Sequence, residues 1–182
     1  MNTLETLIER NHDFVQHNFT SGLPLMPTLR TIVISCADPR VDPAHVLGLE
    51  EGDALVLRNI GGRITPSTLQ SMGMLQAIAQ VEGVIPNGLF NLIVLHHTDC
   101  GITRLQNKTE LLANYFGIDP DAVASKVVAD PYAAVAVDVA TLKALNVLPK
   151  GWLISGLVYD VADGTVEVVV PPDAVDSAAS GG

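Results

Sequence analysis

The sequence has few cysteines, few aromatic residues and no long apolar run. Only two cysteines occur among 182 residues, whereas a disulfide framework normally uses four or more. Aromatic residues make up 4% of the chain although hydrophobic residues make up 48%, so the core is expected to consist mainly of Val, Leu, Ile and Ala. No apolar run approaches the roughly 18 residues of a membrane span.

Basic residues are also scarce, with ten Lys and Arg against twenty Asp and Glu, a net charge of -10. Nucleic acids and anionic membrane surfaces bind basic faces, so neither is expected as a partner. The first five residues lack the basic start and apolar stretch of a secretory signal, which predicts a cytoplasmic protein. In a reducing cytoplasm, two cysteines are typically free thiols, metal ligands or catalytic groups.

Hydrophobic patterning predicts strands and helices that alternate along the chain. A helix is expected over residues 3–18, capped by Asn2 and followed by a turn-rich link to residue 27. Strands are expected at 31–35, 53–58, 91–95, 152–159 and 165–170, with an Asp-Gly turn between the last two. Further helices are expected at 65–81, 108–116, 120–128 and 131–146.

This order of elements predicts an α/β fold. Its mainly parallel central β-sheet is flanked by helices, with an antiparallel edge hairpin and an N-terminal helical arm. Residues 1–176 are expected to form one domain, with 1–27 as the arm, and 177–182 a disordered tail.

Two polar motifs follow two of the predicted strands. Cys36, Asp38 and Arg40 alternate directly after the first strand, and the string His-His-Thr-Asp-Cys-Gly at 96–101 follows the third. Ligand sites of open α/β sheets lie beyond the carboxyl ends of the strands. We therefore expect the two motifs to form one site.

Cys36, His97 and Cys100 make a Cys2His ligand set, which suits Zn²⁺. Three protein ligands leave one tetrahedral position open, as catalytic zinc sites do, and the chain has no third cysteine to close it. Zinc lowers the pKa of water in that position to about 7, so hydroxide is available at neutral pH. The sequence thus predicts one catalytic zinc ion per chain.

Asp38 and Arg40 are predicted to act together beside this metal. Asp38 can accept a hydrogen bond from the hydroxide, and Arg40 can hold Asp38 ionised in a fork of donors. Other readings stay open for each residue alone: inert buried thiols, a metal-free dithiol, a core histidine or a simple Asp-Pro turn. The joint occurrence of the motifs after two strands, with both cysteines used, favours the zinc site.

These residues resemble the β-class carbonic anhydrases. The resemblance rests on Cys36-x-Asp38-x-Arg40 and His97-x-x-Cys100, and covers residues 28–170. The segment 58–62 is similar to the family's Arg-Asn-x-Gly motif, and Tyr159-Asp160 fits its closing hairpin. The short chain and the string at 96–101 are similar to the compact clade, which includes carbonyl sulfide hydrolases.

The resemblance implies reversible hydration of CO2 to bicarbonate, with Cys36, His97 and Cys100 as zinc ligands and Asp38 and Arg40 as a catalytic dyad. It also implies a homodimer or homotetramer with active sites near the subunit interface and the N-terminal helix partly on the partner chain. Gly62 stands where the family commonly has Asn. Hydrolysis of carbonyl sulfide or carbon disulfide at the same zinc site is therefore the alternative, and a non-catalytic zinc-binding scaffold is a second one.

Overall fold

The computed structural model describes residues 2–83, 89–145 and 148–174, so the expected tail at 177–182 lies outside the described residues. The strands are β1 Thr31–Cys36, β2 Ala54–Asn59, β3 Phe90–His97, β4 Trp152–Tyr159 and β5 Val166–Ala174. The helices are α1 Thr3–His17, α2 Pro43–Val46, α3 Pro66–Val81, α4 Thr109–Phe116 and α5 Pro131–Ala144. Shorter 3₁₀ segments cover Ile60–Gly62, Gly101–Leu105 and Pro120–Lys126.

The five strands form one sheet in the order β2-β1-β3-β4-β5. The pairs β1–β2, β1–β3 and β3–β4 are parallel, and β5 runs antiparallel to β4. The predicted α/β fold with an antiparallel edge hairpin is therefore confirmed. Because β1 lies between β2 and β3, the chain reverses its direction of winding there, and such a switch point is where a parallel sheet opens a crevice.

Side-chain caps begin the two longest helices where the sequence predicts them. The Asn2 side chain accepts a hydrogen bond from the backbone N–H of Glu5 at 3.0 Å, and the Glu5 carboxylate accepts one from the N–H of Asn2 at 2.9 Å. Thr65 caps α3 in the same way, with Pro66 in the first turn. Each cap satisfies N–H groups that have no partner inside the helix.

Some boundaries differ from the sequence prediction. Strand β3 extends through His96 and His97, because both residues continue the parallel pairing with β4 opposite Val158 and Tyr159. The segment expected as a helix at 120–128 is a 3₁₀ segment over Pro120–Lys126, which ends before Val127, whose φ of 48° is left-handed. The short helix α2 was not predicted, since four residues are too few to show a period.

The core lies between the central strands and helices α3 and α5. Ile32, Ile34, Leu92, Val94 and Ile154 share one face of the sheet and are at most 4% exposed. They pack against Met72 of α3 and against the α5 side chains Val135, Val139 and Leu142. Within the three described ranges, every helix is too short or too polar to span a bilayer.

A buried charged network joins the segment after β2 to α5 and β3. The Arg63 guanidinium donates from Nε to Asp138 Oδ2 at 2.6 Å, and the two side chains are 1% and 0% exposed. His96 Nε2 lies 3.3 Å from the same carboxylate oxygen. Burial raises the pKa of Asp138, but hydrogen bonds from His96 and Arg63 outweigh it, so the net pKa is lowered. The carboxylate therefore stays ionised in the interior.

Candidate metal centre

Three buried donor side chains meet at the carboxyl end of the sheet. Cys36 is the last residue of β1 and His97 the last residue of β3, and Cys100 follows His97 in a tight turn. Their ligand atoms all lie within 4.8 Å of one another, and the two sulfur atoms are 3.7 Å apart. The sequence-predicted ligands are thus brought together, although they come from segments 64 residues apart.

His97 presents one nitrogen to this cluster. Its Nδ1 lies 2.8 Å from the carbonyl oxygen of Thr98, which can only accept, so Nδ1 carries the hydrogen. Its Nε2 is buried and has no hydrogen-bond partner among the described residues. A lone pair left without a donor in the interior is costly unless a cation binds it. This orphaned atom fits a metal ligand better than a core histidine.

A hydrogen bond between the two thiols shifts their pKa values in opposite directions, and this also suits a bound cation. The hydrogen bond from Cys100 lowers the pKa of Cys36, against the effect of burial, and the His97 side chain and the N–H groups of Asp38 and Gly61 lower it further. Those N–H groups lie 3.4 Å and 3.3 Å from Cys36 Sγ. The same thiol–thiol bond, together with burial, raises the pKa of Cys100. The first proton therefore leaves easily, and a bound cation would favour loss of the second.

Asp38 and Arg40 lie beside the cluster as the sequence predicts. Asp38 Oδ2 is 4.0 Å from His97 Nε2 and accepts a hydrogen bond from Arg40 Nη2 at 2.7 Å. Asp38 Oδ1 accepts from the Arg40 backbone N–H at 2.9 Å and from Arg40 Nε at 3.0 Å. These bonds from Arg40 hold the pKa of Asp38 well below its ordinary value. The carboxylate is therefore an acceptor at every physiological pH.

Arg58 was quoted in the sequence only as part of a motif, and the structure gives it contacts. It donates from Nε to the Cys36 carbonyl at 2.9 Å and from Nη2 to the Asp38 carbonyl at 2.7 Å. Its Nη1 donates to Asp42 Oδ2 at 2.8 Å. Arg58 thus ties the backbone of the Cys36–Asp38 loop to strand β2. Its place at the end of a predicted strand, within the Arg-Asn-x-Gly motif, was the available signal.

A glycine turn closes the site on the β2 side. Gly61 and Gly62 have φ values of 82° and 66°, in the left-handed region that favours glycine. A Cβ atom on Gly62 would lie 3.0 Å from the Cys36 nitrogen and 3.1 Å from the Leu95 carbonyl oxygen. The turn therefore packs directly on the backbone of β1 and β3. Gly62 is required by this close approach, and it presents no side chain to a pocket.

Together these features define an α/β protein with a cluster of two cysteines and one histidine, a donor set that can hold a metal ion, at the switch point of a mainly parallel sheet. Residues 31–118 match the family described as carbonic anhydrase. A crystal structure of carbonic anhydrase from Streptococcus mutans has a TM-score of 0.71 and 35% identity, covering 93% of this chain and 98% of that one. The chain belongs to the β-carbonic anhydrase family.

Two curated relatives carry different names. Beta-carbonic anhydrase 1 of Mycobacterium tuberculosis is 28% identical over 177 residues, which is 94% of this chain and 100% of that protein. Carbon disulfide hydrolase of an Acidianus species is 30% identical over 123 residues, which is 66% of this chain and 54% of that protein. The predicted resemblance is therefore confirmed at the level of the family.

The glycine turn gives a matched pair of stability variants. Gly48 has a φ of 63°, but apart from its chain neighbours no atom of the described residues lies within 4 Å of its Cβ position, whereas Gly62 faces backbone. We expect Gly48→Ala to lower the free energy of unfolding by about 1 kcal/mol through left-handed strain alone. Gly62→Ala adds a backbone clash and should cost about 3 kcal/mol. Urea unfolding followed by Trp152 fluorescence measures both, and equal losses would contradict the close-approach argument.

Proposed function

We propose that this chain holds one zinc ion through Cys36 Sγ, His97 Nε2 and Cys100 Sγ and catalyses the reversible hydration of CO2 to bicarbonate. The observation that carries the proposal is the meeting of three buried donor atoms, one of them an orphaned imidazole nitrogen, beside an ionised carboxylate. Membership of the β-carbonic anhydrase family supports a lyase of this type.

The donor set suits zinc and an open coordination position. Two thiolates and one imidazole are the ligands that Zn²⁺ prefers. When bound, zinc supplies a Lewis acid that lowers the pKa of a water molecule toward neutrality. The N–H groups of Asp38 and Gly61 contact Cys36 Sγ, and the Thr98 carbonyl accepts a hydrogen bond from His97 Nδ1. Such outer contacts fix ligand orientation and tune the metal.

Asp38 is the residue that we propose orients the attacking water. Its carboxylate is held ionised by Arg40, so it accepts a hydrogen bond from water and cannot donate one. An accepted hydrogen bond leaves an oxygen lone pair directed at the carbon of CO2. Addition of that oxygen gives bicarbonate, and the remaining proton leaves to buffer.

Hydrolysis of carbonyl sulfide or carbon disulfide is the second candidate. The same addition of water to a linear, electrophilic carbon would apply. Carbonyl sulfide and one water give CO2 and hydrogen sulfide, and carbon disulfide and two waters give CO2 and two molecules of hydrogen sulfide. The similarity to a protein named carbon disulfide hydrolase favours keeping this candidate. Reaction chemistry alone does not separate these substrates, because all are small, neutral and attacked at carbon.

The zinc proposal predicts which substitutions lose the metal. We expect about one zinc per parent chain by elemental analysis after dialysis against a weak chelator, and less than about 0.1 in Cys100→Ala and His97→Gln. His45→Gln is the control, because His45 is exposed and lies outside the cluster. A parent chain with less than about 0.1 zinc would support the metal-free dithiol reading instead.

The catalytic proposal predicts a loss of turnover without loss of metal. We expect Asp38→Asn to keep its zinc and to lower kcat/KM for CO2 hydration by about 100-fold or more, because the amide no longer offers two acceptor oxygens to Arg40 and water. Asp42→Asn is the matched control, since Asp42 is also an arginine-paired aspartate of the same loop. Its kcat/KM should stay within about twofold of the parent.

Stopped-flow CO2 hydration and a sulfide-release assay with carbonyl sulfide and carbon disulfide decide between the substrates. Rapid CO2 hydration with slow sulfide release supports the first proposal. Sulfide release with negligible CO2 hydration would replace it by the second. A zinc-loaded chain inactive on all three substrates would support the hypothesis of a non-catalytic zinc-binding scaffold.

We also propose that the chain forms a homodimer or homotetramer through α1. The helix contributes no buried residue to its own chain. Its apolar side chains Leu4, Leu7, Ile8 and Val15 share one face and are 49–68% exposed. An isolated 15-residue helix is marginal in water unless its apolar face packs against something. A second copy of the chain is the packing partner that the family resemblance implies.

Sedimentation velocity tests this assembly. We expect the parent to sediment as a multiple of the 19.2 kDa chain. The double substitution Leu7→Gln with Ile8→Gln should shift it toward a single chain, because it removes apolar contact area. Glu9→Gln with Asp13→Gln, on the opposite face of α1, is the control and should leave the assembly intact. A parent that sediments as a single chain would contradict the proposal.

A further inference from the structure

Asp99 lies between the candidate ligands His97 and Cys100 in the sequence. Its side chain and its carbonyl both contact Arg40, the arginine of the proposed Asp38–Arg40 dyad. Its carboxylate accepts a hydrogen bond from Arg40 Nη1 at 2.9 Å through Oδ2 and one from Arg104 Nη2 at 2.9 Å through Oδ1. Its backbone carbonyl accepts a second bond from Arg40, from Nη2 at 3.1 Å. One residue of the ligand turn therefore binds the arginine of the other motif twice.

The Arg40 guanidinium is held from two sides. Asp38 takes Nε and one hydrogen of Nη2, and Asp99 takes Nη1 and the other hydrogen of Nη2. Four of the five N–H bonds of the planar fork are thus used. Asp38 and Arg40 belong to the same loop, so the bonds between them do not tie the guanidinium to another part of the structure. Asp99 links the fork to the ligand turn.

The backbone of Asp99 is itself unusual. Its φ is 50°, in the left-handed region that non-glycine residues rarely occupy, although Asp and Asn do so more readily than most. This conformation belongs to the turn that brings Cys100 back toward His97. Asp99 therefore carries two separable features: a left-handed backbone that shapes the turn, and a carboxylate that binds Arg40.

We propose that Asp99 is a positioning residue, whose carboxylate fixes the Arg40 guanidinium against the ligand turn and so orients Asp38 before the substrate arrives. The catalytic part of this inference rests on the proposed function, whereas the fixing of Arg40 does not. Single exposed ion pairs contribute little, and the Arg40 and Asp99 side chains are 48% and 51% exposed. The effect is therefore expected on geometry and turnover and not on folding.

Asp99→Asn separates the carboxylate from the backbone. Asparagine tolerates the left-handed conformation and keeps the carbonyl that binds Arg40 Nη2, while the charge that binds Nη1 is lost. Arg104→Ala is the control, since it removes the other arginine from the same carboxylate and leaves the Arg40 contacts in place. Both variants should keep the zinc content and urea midpoint of the parent.

The first readout needs no activity. In arginine ¹⁵N-labelled protein, the Nε–H signal of Arg40 is assigned by its absence from Arg40→Ala. We expect its exchange with water to become at least about fivefold faster in Asp99→Asn, because the fork opens more often. Arg104→Ala should exchange within about twofold of the parent. An unchanged Arg40 signal in Asp99→Asn would overturn the proposal, whatever the chain catalyses.

The second readout is a double-mutant cycle on kcat/KM of the zinc-loaded chain, with whichever gas it turns over. We expect Asp99→Asn to lower kcat/KM about tenfold in the parent and less than about twofold in an Arg40→Ala background, because Asp99 acts through Arg40. A loss of equal size in both backgrounds, or no loss in the parent, would overturn the positioning role. A parent that is inactive on every substrate would contradict the proposed function but not the contact between Asp99 and Arg40. The exchange measurement would then test whether Asp99 fixes Arg40.

Discussion

The parallel pairing of β1 with both β2 and β3 is the interaction on which the candidate site depends. Cys36 pairs with Asn59 at the end of β2, and Ser35 pairs with Leu95 of β3, so the three strands end at one edge. Because parallel strands deliver their carboxyl ends to the same side, ligands distant in sequence become neighbours without a dedicated loop. A register slip would turn every side chain of β1 to the other face and separate the donors.

The glycine turn extends this constraint from the strands to the cluster of Cys36, His97 and Cys100. Gly62 lies so close to β1 that backbone touches backbone, and the neighbouring Gly61 N–H reaches the Cys36 sulfur. Asn59 holds the turn, because its side chain accepts from the Arg63 N–H at 2.8 Å and donates to the Arg63 carbonyl at 2.7 Å. The same few residues therefore serve packing and thiolate stabilisation.

Beneath the turn, Arg63, Asp138 and His96 form a polar network in an otherwise apolar interior. A buried ion pair is weak evidence for stability, because desolvation offsets much of the attraction. Its directional bonds nevertheless join three elements: the segment after β2, helix α5 and strand β3. His96 also lies 3.2 Å from the Gly62 carbonyl through Nε2. The neighbouring histidines of β3 thus have different surroundings, His97 at the cluster and His96 in the network.

Much of this arrangement could be predicted from sequence, and the missing part has a physical cause. The strands, the three candidate ligands and the Asp38–Arg40 pair are marked by apolar runs that end in Cys, His, Asp and Arg, which is local information. The contacts of Arg58, the tautomer of His97 and the link from Asp99 to Arg40 depend on packing between distant segments. The extension of β3 through His96 was missed likewise, because pairing with β4 and not local hydrophobicity sets its length.

The charge pattern at the mouth of the site bears on the kind of substrate. Three arginines and three aspartates lie around the cluster, and each arginine there is bound to an aspartate: Arg40 to Asp38 and Asp99, Arg58 to Asp42, and Arg104 to Asp99. Among the described residues, these arginines therefore offer no uncommitted cation to receive an anionic substrate. A neutral molecule avoids the desolvation of a charge and needs no such receptor. CO2, carbonyl sulfide and carbon disulfide are neutral molecules of this kind, whereas bicarbonate, the substrate of the proposed reverse reaction, is an anion that the proposed zinc and not these arginines would receive. Discrimination among the three neutral molecules must come from size and apolar contact at the site.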